Sequence, residues 1–166
     1  MDFVRAEQKD LPVIEELAGI IWRACYPGII SREQIDYMLA KMHSRIRLEA
    51  DLKACIRYDI VRHEGQPCGY MALECRNDSS TATLHKLYLL PSLQGCGLGQ
   101  TMLQHALTLA RSMGATEVSL RVNKANLRAI RAYERAGFSI KDSIREDIGG
   151  GFVMDDFVMS RLAGPP

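Results

Sequence analysis

A β-type run, Leu87-Tyr88-Leu89-Leu90, passes through Pro91-Ser92-Leu93-Gln94 into Gly95, Gly97 and Gly99, and then directly into a stretch of helical periodicity. This passage restricts the fold more than any other feature of the chain. A helix start leaves several backbone N–H groups without intrahelical partners and carries the positive end of the dipole, so it suits a phosphate. Closely spaced glycines let the backbone approach an oxygen that a bulky or β-branched side chain would keep away. On these residues alone the segment is either an anion-binding loop or a flexible turn ahead of a helix. A dinucleotide fold would place G-x-G-x-x-G after the first strand, with an acidic residue about 20 positions on, whereas here G-x-G-x-G stands in mid-chain. A P-loop requires G-K-[ST], and Gly99 is followed by Gln100.

Around this segment the chain alternates strand and helix signals. Residues 2–6 read as a short strand, and Asp10 as the N-cap of a helix with Pro12 in its first turn, running to about Cys25. After the Tyr26-Pro27-Gly28 break, Ser31 and Gln34 form an S-x-x-Q capping box for a second helix with Ile35, Met38, Leu39 and Met42 along one stripe. Ser44 to about Lys53 reads as a third. Ala54–His63 and Cys68–Arg76 are β-type runs joined at Glu64-Gly65-Gln66-Pro67, and Thr81–Leu90 is the next strand. A helix from about Gly97 to Met113 carries Met102, Leu103, Ala106, Leu109, Ala110 and Met113 on one face and ends at Gly114. Glu117–Val122 is a strand and Asn126 to Ala136 a helix ended by Gly137. Phe138–Ile148 and Phe152–Leu162 are strands joined by Gly149-Gly150-Gly151. The order predicts a mixed α/β (α+β) layer fold, one domain over residues 1–166.

Composition removes several function classes. Lys and Arg number 21 against 20 Asp and Glu, a net charge of +1, so the basic footprint of a general nucleic-acid or anionic-membrane binder is missing. No apolar run approaches the roughly 20 residues of a membrane span, and the charged start MDFVRAEQKD lacks the apolar stretch of a signal peptide, so a cytoplasmic location is expected. Cys25, Cys55, Cys68, Cys75 and Cys96 form no CxxC pair and lie mostly in apolar stretches, so they read as reduced core thiols. His43, His63, His85 and His105 lack metal-ligand spacing, and no metal is expected.

Gln94 to Gly99 resembles the Q/R-x-x-G-x-G/A signature of the GNAT N-acetyltransferases, and Asn126 to Phe138 resembles their second motif, N-x-x-A-x-x-x-Y-x-x-x-G-F. The two stand in the family's order and separation, and the likeness runs from about Cys68 to Leu162. It implies a GNAT-like, mostly antiparallel twisted sheet flanked by helices, with acetyl-CoA as co-substrate. It implies that the loop amides hold the coenzyme pyrophosphate and the strand before them the pantetheine arm. The coenzyme-binding candidates are then Leu87, Tyr88, Leu89, Gln94, Gly95, Cys96, Gly97, Leu98, Gly99, Gln100 and Asn126.

The resemblance also implies direct attack of an amine on the thioester. An alkylammonium has a pKa near 10.4, so at pH 7 only about one molecule in a few thousand is the free amine, and a base or a water chain must take the proton. Tyr133 is the candidate acid for the departing thiolate. By pattern alone Tyr133 is equally a core tyrosine and Asn126 an N-cap. Thr83-Leu84-His85-Lys86-Leu87 lacks the glutamate that many family members carry there, which leaves His85 or water as the base. Cys96 has no obvious paired base and is discounted as a nucleophile. Residues 21–39 faintly resemble bacterial spermidine/spermine acetyltransferases. The expected acceptor is therefore a small molecule with a primary amine, a polyamine among the candidates, with Trp22, Tyr26, Asp36 and Tyr37 as residues able to cradle a cation. Asp155-Asp156 reads as a solvated strand pair. The rival readings are acetylation of a protein or peptide α-amino group and a non-catalytic acetyl-CoA-binding module. A homodimer is one candidate assembly.

Overall fold

The computed structural model describes residues 1–76 and 79–164. Among them the order is β1 (Asp2–Arg5), α1 (Leu11–Cys25), α2 (Arg32–Met42), α3 (Arg45–Lys53), β2 (Arg57–His63), β3 (Gln66–Cys75), β4 (Thr81–Leu89), α4 (Leu98–Ser112), β5 (Glu117–Asn123), α5 (Leu127–Arg135), β6 (Ser139–Gly149) and β7 (Phe152–Leu162), with 3₁₀ turns at Gln8–Asp10 and Pro91–Leu93. The strands form one sheet in the order β1-β2-β3-β4-β5-β7-β6. β4 and β5 pair in parallel, whereas β1 with β2, β5 with β7 and β6 with β7 pair antiparallel. The fold is the mixed, largely antiparallel α/β arrangement expected. By packing the chain divides into two units, Met1–Ala72 with Lys86–Leu98, and Leu73–His85 with Gly99–Pro166.

In the first unit α1 buries Leu11, Ile14, Leu17, Ala18, Ile21 and Trp22, the three-to-four-residue repeat of one helical face, and packs on α2 and α3. Each of the larger apolar side chains contributes about 1.5–3 kcal/mol by leaving water. Ser31 and Ser44 accept hydrogen bonds from Gln34 N and Arg47 N at 3.1 and 3.4 Å, capping α2 and α3. Asp10 stands at the N-cap of α1 but makes no cap there. Its carboxylate accepts from Glu7 N at 2.9 Å and closes the preceding 3₁₀ turn instead. The β2–β3 turn is only Glu64 and Gly65, both left-handed at φ 51° and 78°, so Gln66 and Pro67 belong to β3 and not to the loop.

Within this unit lies a buried ionic network. Lys86 Nζ donates to Asp51 Oδ2 at 2.9 Å and to Tyr58 OH, Tyr58 OH donates to the same carboxylate at 2.6 Å, and Arg47 Nε reaches Asp51 Oδ1 at 2.7 Å. Burial alone would raise the Asp51 carboxyl, but the Tyr58 hydrogen bond and the Lys86 charge outweigh it and hold it below its ordinary value. Burial lowers Lys86 and raises Tyr58.

In the second unit α4 buries Met102, Leu103, Ala106, Leu107 and Ala110. Leu107 joins that face in place of Leu109, which is half-buried, and Met113 is exposed because it lies beyond the end of α4 at Ser112. β6 is exposed along almost its whole length, carries Lys141, Asp142, Arg145, Glu146 and Asp147, and is interrupted by two register shifts. Charges and bulges of this kind discourage edge-to-edge pairing. Asp156 is not solvated: it is 1% exposed, lies beside Arg121 at 3.3 Å, and is raised by burial against the pull of that guanidinium. The cysteines are free thiols, yet only Cys68 is a core residue; Cys55 and Cys96 are exposed. Apolar neighbours in sequence do not decide which side of an element meets solvent.

Candidate active site

The parallel β4–β5 ladder covers Thr81–Leu84 only. β4 continues to Leu89, so the backbone of residues 85–89 on that edge lies beyond the last pair and can bond an extended ligand. Gly69, on β3, permits this geometry: a Cβ there would run into the Tyr88 carbonyl oxygen. Leu89 is buried, Leu87 half-buried, and the Tyr88 ring packs at 5.3–5.8 Å from those of Tyr70, Trp22 and His43. These three residues therefore offer main-chain groups while their side chains hold the strand.

The loop that follows is built for close approach. Gly95 and Gly97 are left-handed at φ 89° and 83°, conformations that cost other residues roughly 1–2 kcal/mol. A Cβ at Gly95, Gly97 or Gly99 would meet nothing within 4 Å, so the space above the loop is open. The first-turn amides of α4, at Leu98, Gly99 and Gln100, follow at once. Gln94 spends its side chain on the fold, donating to Leu89 O at 2.8 Å and Cys25 Sγ at 3.4 Å, which fastens the loop to the end of β4. Gln100 donates to Ala132 O at 2.8 Å. Gln100 also borders a cavity of about 600 Å³ in the second unit, with Thr101, Gln104, Arg135, Gly137 and Arg161. Open glycines and helix-start amides suit a pyrophosphate, and within the second unit the guanidinium groups of Arg135 and Arg161 at the cavity suit an anionic group.

Asn126 is the N-cap of α5, its Oδ1 accepting from Ala129 N at 3.1 Å. Tyr133 is half-buried and meets Phe138 edge-on at 6.0 Å. Cys96 is exposed. His85 is exposed, and its Nε2 lies 2.8 Å from Oε2 of Glu74 on β3. Glu74 was not foreseen. Its partner is 11 residues away across a strand pair, and only the register brings them together.

The proposed cation cradle is distributed differently from expectation. Trp22 is buried and stacks on Tyr26 at 4.1 Å and 8°. Asp36 bonds Arg23 at 3.1 Å, and the Tyr37 hydroxyl accepts from Lys41 at 3.3 Å. Trp22 instead belongs to an aromatic cluster with Tyr70, Tyr88 and His43. His43 is 2% exposed, and its pKa is lowered to about 3, first by burial and then by the charge of Lys86, with the Met38 carbonyl and Asp51 pulling weakly the other way. Among the described residues no cluster of His, Cys, Asp and Glu could hold a metal ion, and no helix is long and apolar enough to cross a membrane.

Residues 16–138 match the family model of the acetyltransferase (GNAT) family. An uncharacterised N-acetyltransferase of Mycobacterium tuberculosis is 33% identical over 153 residues, covering 89% of this chain and 96% of the relative. The spermidine N(1)-acetyltransferase of Thermoplasma acidophilum is 26% identical over 152 residues, covering 89% and 91%. Among solved structures, the PaiA N-acetyltransferase of the same organism, in complex with coenzyme A, superposes with a TM-score of 0.80 at 24% identity over 97% of this chain and 98% of that one. With its glycine loop opening a helix after a strand that outruns its parallel partner, and with these matches over most of its length, the chain belongs to the GNAT family of N-acetyltransferases.

Proposed function

We propose that this enzyme transfers the acetyl group of acetyl-CoA to the primary amine of a small molecule, with polyamines as the first class to test. One observation carries the reading of the donor side: β4 runs past its last β5 pair into left-handed glycines that open α4. Leu87 and Leu89 would bond the extended pantetheine through their main chain, and the amides from Gly95 to Gln100 the pyrophosphate. Arg135 and Arg161 stand at the cavity beside Gln100, where a further phosphate would find positive charge. Acetyl-CoA supplies the activated acyl carbon; the protein binds it, orients it and moves protons.

In this reading His85 takes a proton from the acceptor ammonium, and Tyr133, on the α5 motif face, returns one to the leaving thiolate. The polyamine class is supported by the full-length likeness to a spermidine acetyltransferase. It receives no help from Asp36, which already neutralises Arg23. Release of coenzyme A thiol, measured with spermidine, a monoamine and a short peptide as acceptors, tests the reading. Preference for spermidine supports it, turnover of the peptide alone replaces it with peptide acetylation, and no turnover of any amine leaves coenzyme binding without this chemistry.

A further inference from the structure

We propose that Glu74 is the positioning residue of His85, fixing the imidazole so that Nε2 carries the hydrogen and Nδ1 is the atom that accepts the proton of the acceptor amine. The proposal rests on the reading of His85 as base. An ionised carboxylate only accepts hydrogen bonds, so an imidazole nitrogen 2.8 Å from Glu74 Oε2 carries its hydrogen, and the lone pair of the neutral ring falls to the other nitrogen. Both residues sit on strands of the second unit, β3 and β4, so the ring is held by sheet rather than by loop. Their side chains are 26% and 35% exposed, which shields the pair partly while leaving the imidazolium a path to release its proton to water.

On this sheet face Arg121 is already matched, and Glu117 bonds the Ser160 hydroxyl. The β4–β5 register puts Thr83 beside Ser119, so His85 and Arg121 follow on the same face by strand alternation. Arg121 is engaged by Glu146 at 2.9 Å and Asp156 at 3.3 Å. Glu74 is thus the carboxylate committed to the histidine. The arrangement is that of a base whose far nitrogen is oriented by an acid, which stabilises the imidazolium as it forms.

The acceptor ammonium gives one proton to Nδ1; its nitrogen lone pair forms the C–N bond as the C–S bond breaks. The thiolate takes up one proton, and the new amide nitrogen sheds one. One ammonium and one thioester become one amide, one thiol and one proton, released to solvent from His85.

The experiment compares wild type, Glu74→Gln, Glu74→Asp and His85→Gln in the pH dependence of kcat/KM with spermidine and acetyl-CoA. It is joined by ¹⁵N NMR of the histidine tautomer, which needs no acceptor, and by calorimetry of acetyl-CoA binding as a check on folding. Glu74→Gln should lower kcat/KM about 10-fold and abolish the preference for hydrogen on Nε2, with coenzyme affinity unchanged. Glu74→Asp should recover part of the loss. If kcat/KM and the tautomer of Glu74→Gln match wild type while His85→Gln loses activity, the positioning role is wrong and the base reading stands. If His85→Gln keeps wild-type kcat/KM, both fall.

Discussion

His43 should make this protein soften in mild acid. The ring is buried among Trp22, Tyr70 and Tyr88, and its pKa falls from the ordinary 6.5 to about 3, chiefly because burial penalises the charged form. Below pH 6.5 the unfolded chain therefore binds a proton that the folded chain refuses, and stability must fall as the pH falls, until about pH 3. One pKa unit is worth 1.36 kcal/mol, so the loss by pH 5 is about 2 kcal/mol. For a chain of this size that corresponds to a drop in Tm of about 4–8 °C. His43→Phe removes the titrating group and keeps a ring in the cluster. Urea unfolding at pH 7, 6 and 5 should show a slope in wild type that the variant lacks, whatever the variant's absolute stability. Equal slopes in the two proteins would refute the reasoning, as would a His43 NMR resonance titrating near 6.5 in the folded state. Because Tyr88 shares the cluster, the same acidification loosens the strand that carries the proposed pantetheine contacts.

Three further outcomes are expected. Asp51→Leu should cost about 3–5 kcal/mol, since it leaves the 6%-exposed Lys86 facing only Tyr58, whereas Lys86→Met should cost less because Arg47 and Tyr58 still satisfy Asp51; denaturation midpoints showing the reverse order would contradict the network as described. Gly97→Val should abolish or greatly weaken acetyl-CoA binding in calorimetry, through both the left-handed backbone and the space a branched side chain would fill; a folded variant with unchanged affinity would move the pyrophosphate elsewhere. Tyr133→Phe should lower kcat about 10-fold or more with coenzyme affinity preserved, and a full kcat with chemistry rate-limiting would remove Tyr133 from the proton transfer.

The order of strands and helices, the serine cap at Ser31, the Asn126 cap and the glycine loop were all legible in the sequence, because each depends on residues within one turn or one loop of each other. The two motifs that mark the family are local in the same sense: backbone amides at a helix start need only the right glycines beside them. What joins distant segments was not legible. Glu74 meets His85 across 11 residues and Asp51 meets Lys86 across 35, and neither partner is specified until strand register and helix placement bring them within bonding distance. Asp10 looks like a helix cap and Asp155-Asp156 like a solvated pair, yet the first closes a 3₁₀ turn and Asp156 is buried beside Arg121. Periodicity states which side chains share a face, but only the packed sheet decides whether that face meets solvent, a helix or an opposite charge. Burial and charge pairing, and with them the titration of His43 and the orientation of His85, are therefore properties of the tertiary structure, because the free energy of a charge depends on everything around it and not on its neighbours in the chain.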